Sequence, residues 1–372
     1  MDRGARETGG LDPMRDRPRG DGARRDRRWP QGKPSREGAA GDSAVAGRDG
    51  GATYAALDLG TNNCRLLIAR PAGHSFRVID AFSRIIRLGE GVSGSGRLSE
   101  AAVARAIDAL GVCRDKMRHR GVNRARLIAT EACRAAANGG TFQEEVRNRL
   151  GLELEIIGRD TEAALAATGC TPLIDRDARG VILFDIGGGS SELVRLGQSE
   201  PVRNGPPKPS IEAWASLPIG VVTLAERHGG VQVTRELYET MVQEVSALMA
   251  PFVESAGGDI DGLHMLGTSG TVTTVAGVHL DLPRYDRRRV DGLWMDNDEI
   301  THVVNRLLAM RYEERAANPC IGAERADLVL AGCAILEAIR RAFPCPRLRV
   351  ADRGLREGIL VEMMRADGAW DN

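Results

Sequence analysis

An acid and a glycine turn set between two apolar runs occur twice in this chain, at matching spacing. No other feature narrows the possible folds as much. Val181–Leu196 reads VILFDIGGGSSELVRL and Tyr54–Ala69 reads YAALDLGTNNCRLLIA. Laid over each other, Asp58 falls on Asp185, Gly60 on Gly187 and Leu66 on Leu193. Each copy reads as strand, tight turn, strand. In the second copy Gly187, Gly188 and Gly189 let the backbone approach a ligand and turn several N–H groups one way. Two such hairpins, each opening a long α/β stretch, predict a duplicated protein whose two lobes face each other across a cleft.

A single hairpin of this kind also reads as an ordinary polar turn. The repetition favours a shared grip on one phosphate chain. Gly187, Gly188, Gly189 and Ser190 would then offer N–H groups and a hydroxyl from one lobe. Gly60, Thr61 and Asn62 would do so from the other. Asp185 and Glu192 flank the second turn and could share a divalent cation, for which Mg²⁺ suits hard oxygen ligands. Asp58, the matching acid, reads either as a metal or water contact or as a stabiliser of its own turn. A third glycine loop, Gly267–Thr271, runs from an apolar strand into a helix. Thr268 and Ser269 there read either as an anion site at a helix N-terminus or as a plain strand-to-helix connection.

Several other chemistries are excluded. The chain has no GxxxxGK[ST] loop and no GxSxG elbow. Its seven cysteines are scattered without a CxxC pair, and its six histidines show no HExxH spacing. That argues for reduced thiols, a cytoplasmic protein and no zinc site. No apolar run reaches membrane-spanning length. Aromatic residues make up 4% of the chain, which argues against base stacking on single-stranded nucleic acid.

The alternation of apolar runs predicts an order of elements. Residues 1–51 are rich in Arg and Gly and are expected to form a disordered tail, with the folded chain beginning near Thr53. A first lobe is expected over 52–165 and a second over 166–372. Ser99 is expected to cap a helix, Thr141 and Glu144 to form a capping box, and Asp160 to cap the helix that follows. Thr234 should start an amphipathic helix through Met249. Gly197–Ala213, with four prolines, reads as a surface insertion.

Six segments, in order, carry a family resemblance: DLGTNNCRLLI, ATEACR, GRDTEAAL, FDIGGGSSELV, GTSGTVTT and ADRGLREGIL. From about Ala52 to Met364 the chain resembles the exopolyphosphatase and guanosine pentaphosphate phosphatase (Ppx/GppA) family in its short two-domain form. The resemblance implies an α/β fold of two RNase H-like lobes, as in the actin, Hsp70 and sugar-kinase superfamily, with an interlobe cleft. It implies metal-dependent hydrolysis of the terminal phosphate of inorganic polyphosphate, or of guanosine pentaphosphate. An ATP-binding kinase or switch of the same fold is the rival from another class. By the resemblance Glu162 is the catalytic base, Arg65 and Arg134 contact the polyphosphate, and Asp185 and Glu192 are metal-side acids. Glu131 is the reserve candidate for the base. No membrane or specific nucleic-acid partner is expected, and a homodimer is among the expected assemblies. Glu162 also falls in the first turn of a helix, where the dipole favours an ionised carboxylate.

Overall fold

The computed structural model describes residues 51–199, 202 and 205–370. The readings of the tail over 1–50, and of residues 200, 201, 203 and 204 of the Pro-rich insertion, fall outside the described residues. The chain forms two mixed sheets with helices against their faces. The first sheet holds β1 (Tyr54–Leu59), β2 (Asn63–Ala72), β3 (Ser75–Ile85), β4 (Arg124–Ala129) and β5 (Leu154–Ile156), in the order β3-β2-β1-β4-β5. The second holds β6 (Gly180–Ile186), β7 (Ser191–Leu196), β8 (Ile211–Leu217), β9 (Leu263–Thr268), β10 (Trp294–Asp296) and β11 (Arg347–Ala351), in the order β10-β11-β9-β6-β7-β8.

The two sheets repeat one plan. In each, the first strand pairs antiparallel with the second, and the second with the third. On its other side the first strand pairs parallel with the fourth, which pairs parallel with the fifth. The second sheet adds β10, antiparallel on its far edge. The repeat seen in the hairpins is thus a repeat of whole lobes, as the two-lobed fold implied by the family resemblance requires.

Helices α1 (Val92–Ser95), α2 (Glu100–His119), α3 (Glu131–Ala135) and α4 (Gly139–Leu150) belong to the first half of the chain. Helix α5 (Arg159–Cys170) connects the sheets. The second half contributes α6 (Val221–His228), α7 (Arg235–Ala256), α8 (Ser269–His279), α9 (Arg287–Val290), α10 (Asn297–Ala309), α11 (Tyr312–Ala317), α12 (Val329–Ala342) and α13 (Leu355–Ala366). Ser99 and Thr234 cap as expected, each side chain accepting from the amide three residues on, at 3.2 Å. The other two expected caps are displaced. Asn138, not Thr141, precedes α4, and Gly158 precedes α5, so Asp160 lies inside the first turn. In both cases the chain turns helical earlier than the side-chain pattern suggests.

Burial on both faces makes β1 and β6 nearly all apolar. Leu57 and Leu59 join a core with α2, while Tyr54 and Ala56 join one with α13. Likewise Phe184 and Ile186 face the large core of the second lobe, and Val181 and Leu183 face α5. Strand alternation therefore places Asp58 on the face covered by α13, and Asp185 on the face covered by α5. Those two helices meet where Gly169 and Gly358 leave no room for a Cβ between the backbones. The last helix thus returns from the second sheet to pack on the first. Its Ile359, Leu360 and Met364 are fully buried with Leu67 and Ile128. We propose a lobe division at 165/166 for the sheets, with α13 crossing back as a second bridge beside α5.

Candidate active site

Each acid-and-glycine hairpin is closed by the same bond. Gly60 N donates to Asn63 O at 2.9 Å, and Gly187 N donates to Ser190 O at 3.0 Å. The two turns then press together across the lobes. A Cβ on Gly188 would stand 2.9 Å from Thr61 Cβ, and one on Gly189 would stand 2.8 Å from Thr61 Oγ1. Glycine at these two positions permits the approach, while a Cβ on Gly187 would meet Ser190 O of its own turn at 2.7 Å.

Between the turns lies a cavity of about 100 Å³. Its wall includes Asp58, Gly60, Thr61, Asn62 and Arg65 from the first lobe and Glu162 from α5. Asp185, Gly187, Gly188, Gly189, Ser190, Glu192, Thr268 and Ser269 line it from the second. The backbone N–H groups of Thr61, Asn62, Gly188, Gly189 and Ser190 have no acceptor among the described residues. Unpaired amides beside a cavity suit an anion with many oxygens. Asn62 Oδ1 and Asn63 Oδ1 are buried without a partner at the same place.

The acids are supported individually. Glu192 accepts from Ser190 Oγ at 2.8 Å and from Ser216 Oγ, on β8, at 2.9 Å. The Ser190 hydroxyl is therefore committed to Glu192, and its amide is what it can offer a ligand. Burial pushes Asp185 up to about 6, with Arg65 opposing and Asp58 adding to the rise. Burial and neighbouring acids also raise Glu192, Asp58 and Glu162. For Glu162 the burial and Glu192 outweigh Arg134.

Arg134 is placed one side chain behind the wall. It donates to Glu162 Oε2 at 3.1 and 3.2 Å, to Glu131 Oε2 at 3.0 Å and to the carbonyl of Ile157 at 2.7 Å. Glu131 is on the wall but is also held by Arg159, at 2.8 Å. Glu162 has the single arginine partner, and this separates the two candidates for a base.

The structure adds residues that motif reading left unassigned. The segment after β11 brings Asp352, Arg353, Arg356 and Glu357 to the wall. Arg353 pairs with Asp291, and Glu357 with Arg287 at 2.9 Å. Arg65 and Arg356 make no ion pair with any described residue. A smaller cavity of about 60 Å³ adjoins the first and shares Asn62, Arg65 and Gly188 with it. Its wall also carries Ile186, Val221, Leu328, Val329 and Arg325, with the hydroxyl residues Ser269, Thr271 and Thr274. ADRGLREGIL could have pointed to the first group. Nothing local marks Arg325.

The family model for the Ppx/GppA phosphatase family matches residues 67–367. Exopolyphosphatase 2 of Mycobacterium tuberculosis is 28% identical over 324 residues, covering 83% of this chain and 98% of its own length. The guanosine-5'-triphosphate,3'-diphosphate pyrophosphatase of Vibrio atlanticus is 28% identical over 318 residues, covering 84% of this chain. The chain spans 59% of that relative's length. The crystal structure of the Aquifex aeolicus Ppx/GppA family member superposes with a TM-score of 0.70 at 28% identity, covering 85% of this chain and 98% of that one. An exopolyphosphatase from Cytophaga hutchinsonii shares the fold, with a TM-score of 0.77 at 22% identity over 84% of this chain and 98% of its own. By the match over most of its length, this chain belongs to the Ppx/GppA phosphatase family.

Proposed function

We propose that this chain is an exopolyphosphatase that removes the terminal phosphate of inorganic polyphosphate and releases orthophosphate. The observation that carries the reading is the convergence of five unpartnered amides and Glu162 on one interlobe cavity. The amides and Arg65 hold the terminal phosphoryl oxygens. Glu162 takes a proton from water, whose oxygen attacks the terminal phosphorus as the bridging P–O bond breaks. The shortened chain leaves with the bond's electrons. A raised carboxylate pKa makes Glu162 a stronger base than an ordinary one while leaving it ionised above its pKa. Loss of such a base typically costs about 10²–10⁴-fold.

A divalent cation fits the donor set. Asp58, Asp185 and Glu192 are hard oxygen donors, all raised first by burial; Asp58 adds to the rise of Asp185 and Asp185 to that of Glu192, as expected where a cation's charge is needed. Among the described residues no three Asp, Glu, His or Cys side chains meet closely enough to form an all-protein site. Mg²⁺ suits that case, since it is commonly held by one or two carboxylates with water and substrate oxygens. Bound there, it would neutralise charge on the phosphates.

The test is phosphate release from long-chain polyphosphate with Mg²⁺ by the purified protein. No release by the wild type, or full activity in Glu162→Ala, overturns the reading. Guanosine pentaphosphate is the second reading, favoured by the adjoining cavity, whose apolar walls and two arginines suit a nucleoside bearing phosphate. Competition between the two substrates at equal phosphate concentration decides between them. The kinase or switch reading has no support from the family match. No described helix is long and apolar enough to cross a membrane. All seven cysteines are unpaired and buried, which supports a cytoplasmic location.

A further inference from the structure

The lobes meet at a second place, at the rim of the cleft, through residues outside both cavities. The loop after β3 reaches from the first lobe. Arg87 Nη2 donates to Asp327 Oδ1 at 3.1 Å and to the carbonyl of Glu324 at 2.9 Å. Gly91 N donates to Glu226 Oε1 at 2.9 Å, and Ser93 Oγ to Glu226 Oε2. All the donors belong to the first lobe and all the acceptors to the second.

Each half of this contact is tied by backbone bonds to one of the phosphate-gripping turns. Ile86 N and Arg87 N donate to Asn62 O at 2.9 and 3.1 Å, and Gly89 N donates to Thr61 O at 2.9 Å. On the other side Val221 N and Val222 N, opening the helix that bears Glu226, donate to Gly187 O and Gly188 O at 2.9 and 2.8 Å. Arg87 holds a left-handed backbone, φ 46°, which is unfavourable for arginine. It is kept there by those bonds and by Arg105, which donates to the carbonyls of Ile86 and Arg87 at 2.7 and 3.2 Å. Strain held from both sides commonly marks a working position.

The two margins of the interlobe contact differ in kind. Along α5 and α13 it is chiefly apolar and buried, with the pairs Arg124–Asp367 and Arg126–Glu362 at its edge. At the rim it consists of half-exposed polar pairs, Arg87 at 32% and Asp327 at 26% exposure. Buried apolar contacts stay shut, whereas exposed pairs are individually weak and can part. This is the layout of a hinge and a clasp.

We infer that Arg87, Glu226 and Asp327 are positioning residues that clasp the cleft, press the two turns together on a polyanion, and set how long the chain is retained between cleavages. The inference rests on the exopolyphosphatase reading for its substrate. Glu226→Gln/Asp327→Asn weakens both contacts and touches neither cavity. Product lengths from long-chain polyphosphate are followed on a gel. The expectation is that wild type shows full-length chain and orthophosphate, while the double variant shows a ladder of intermediates. Chain release rises about three- to tenfold, the scale of a few weak exposed pairs, and kcat at saturation is unchanged. Arg87→Glu should give the same ladder, and Arg87→Glu/Asp327→Arg should restore retention, which a merely structural role would not do. Hydrogen exchange without ligand should speed up over residues 86–93 in the double variant. An unchanged product distribution overturns the inference. Should wild type release no phosphate from polyphosphate, the functional reading fails on its own. The clasp is then judged by exchange alone, and unchanged protection over 86–93 overturns it.

Discussion

Arg134 grips Glu162 from behind, with two guanidinium nitrogens 3.1 and 3.2 Å from one carboxylate oxygen. Its remaining donors go to Glu131 and to a backbone carbonyl. A contact to substrate would require it to leave these partners. We propose that it aims the carboxylate; its charge offsets part of the burial that raises Glu162.

This gives a kinetic prediction. Arg134→Gln should lower kcat about 10- to 100-fold while KM changes little, because an interaction lost only in the transition state leaves ground-state binding intact. Arg134→Lys should recover part of the rate. Steady-state phosphate release across polyphosphate concentrations is the measurement. A raised KM with unchanged kcat would return Arg134 to the substrate.

The close approach of the two turns makes a second prediction. Gly188→Ala places a methyl 2.9 Å from Thr61 Cβ and 3.3 Å from the Asn62 amide, so the turns must separate. Folding should be nearly unaffected, since the change is at a cleft surface. KM for polyphosphate should rise at least tenfold, the scale of losing one or two charge-assisted hydrogen bonds at about 1.5–3 kcal/mol each. Thermal melting and kinetics, run together, check both halves of the statement.

The parts of the fold readable in advance were those governed by local rules. The hairpins were legible because glycine spacing fixes a tight turn, and β1 and β6 because burial on both faces leaves an unbroken apolar run. Strand β8 was not. Its Ile211–Leu217 lies on a sheet edge with Trp214 45% exposed, so its apolar pattern is diluted, and it follows a Pro-rich stretch that reads as loop. With it went Ser216, which supports Glu192. The convergence of Glu162, Asp185 and Arg65 followed from the repeat together with the family resemblance. Arg325 and Arg356 depend on how segments distant in the chain meet, which no local pattern encodes. The direction of the Glu162 shift was also hidden, because helix position is local while desolvation depends on the packed neighbours.

A third prediction concerns stability and pH. Asp80, on the edge strand β3, accepts from Lys116 Nζ on α2 at 2.9 Å and from Arg120 Nε, just past its C-terminus, at 2.8 Å. The Lys116 bond leads in holding its carboxyl down at about 2, with Arg120 and the Ala81 amide assisting. A lowered folded-state pKa stabilises above the unfolded value, and the gain is lost as pH falls toward the folded one. Arg120 is 42% exposed, so screening reduces the effect. Asp80→Asn should cost about 1–2 kcal/mol at pH 7 in urea denaturation. The gap from wild type should narrow from roughly pH 4 downward and be mostly gone near pH 2. A gap that stays constant across that range would show the contribution is not ionic.

The last prediction tests what holds the Arg325–Asp327 segment in place. Arg315 is 2% exposed, and no acid is paired with it among the described residues. It donates instead to backbone carbonyls: Ala326 at 3.2 Å, Met310 at 3.2 Å, Gly230 at 3.1 Å and Val231 at 2.7 Å. Burial alone lowers its pKa, yet the guanidinium remains charged because those carbonyl dipoles converge on it. Three separate stretches are joined through this one side chain: the end of α10, the loop after α6 and the turn before α12. Arg315→Met keeps much of the apolar stem but leaves four carbonyls unanswered. The expected cost is about 3–5 kcal/mol by denaturant unfolding, since each buried group left without a partner costs about 1–3 kcal/mol before relaxation. Arg315→Lys has fewer donors and no planar fork, so it should recover less than half of that loss. A cost below about 1 kcal/mol for the Met variant would mean that water replaces the guanidinium, and that the segment is held by Leu328 and Val329 packing in the core.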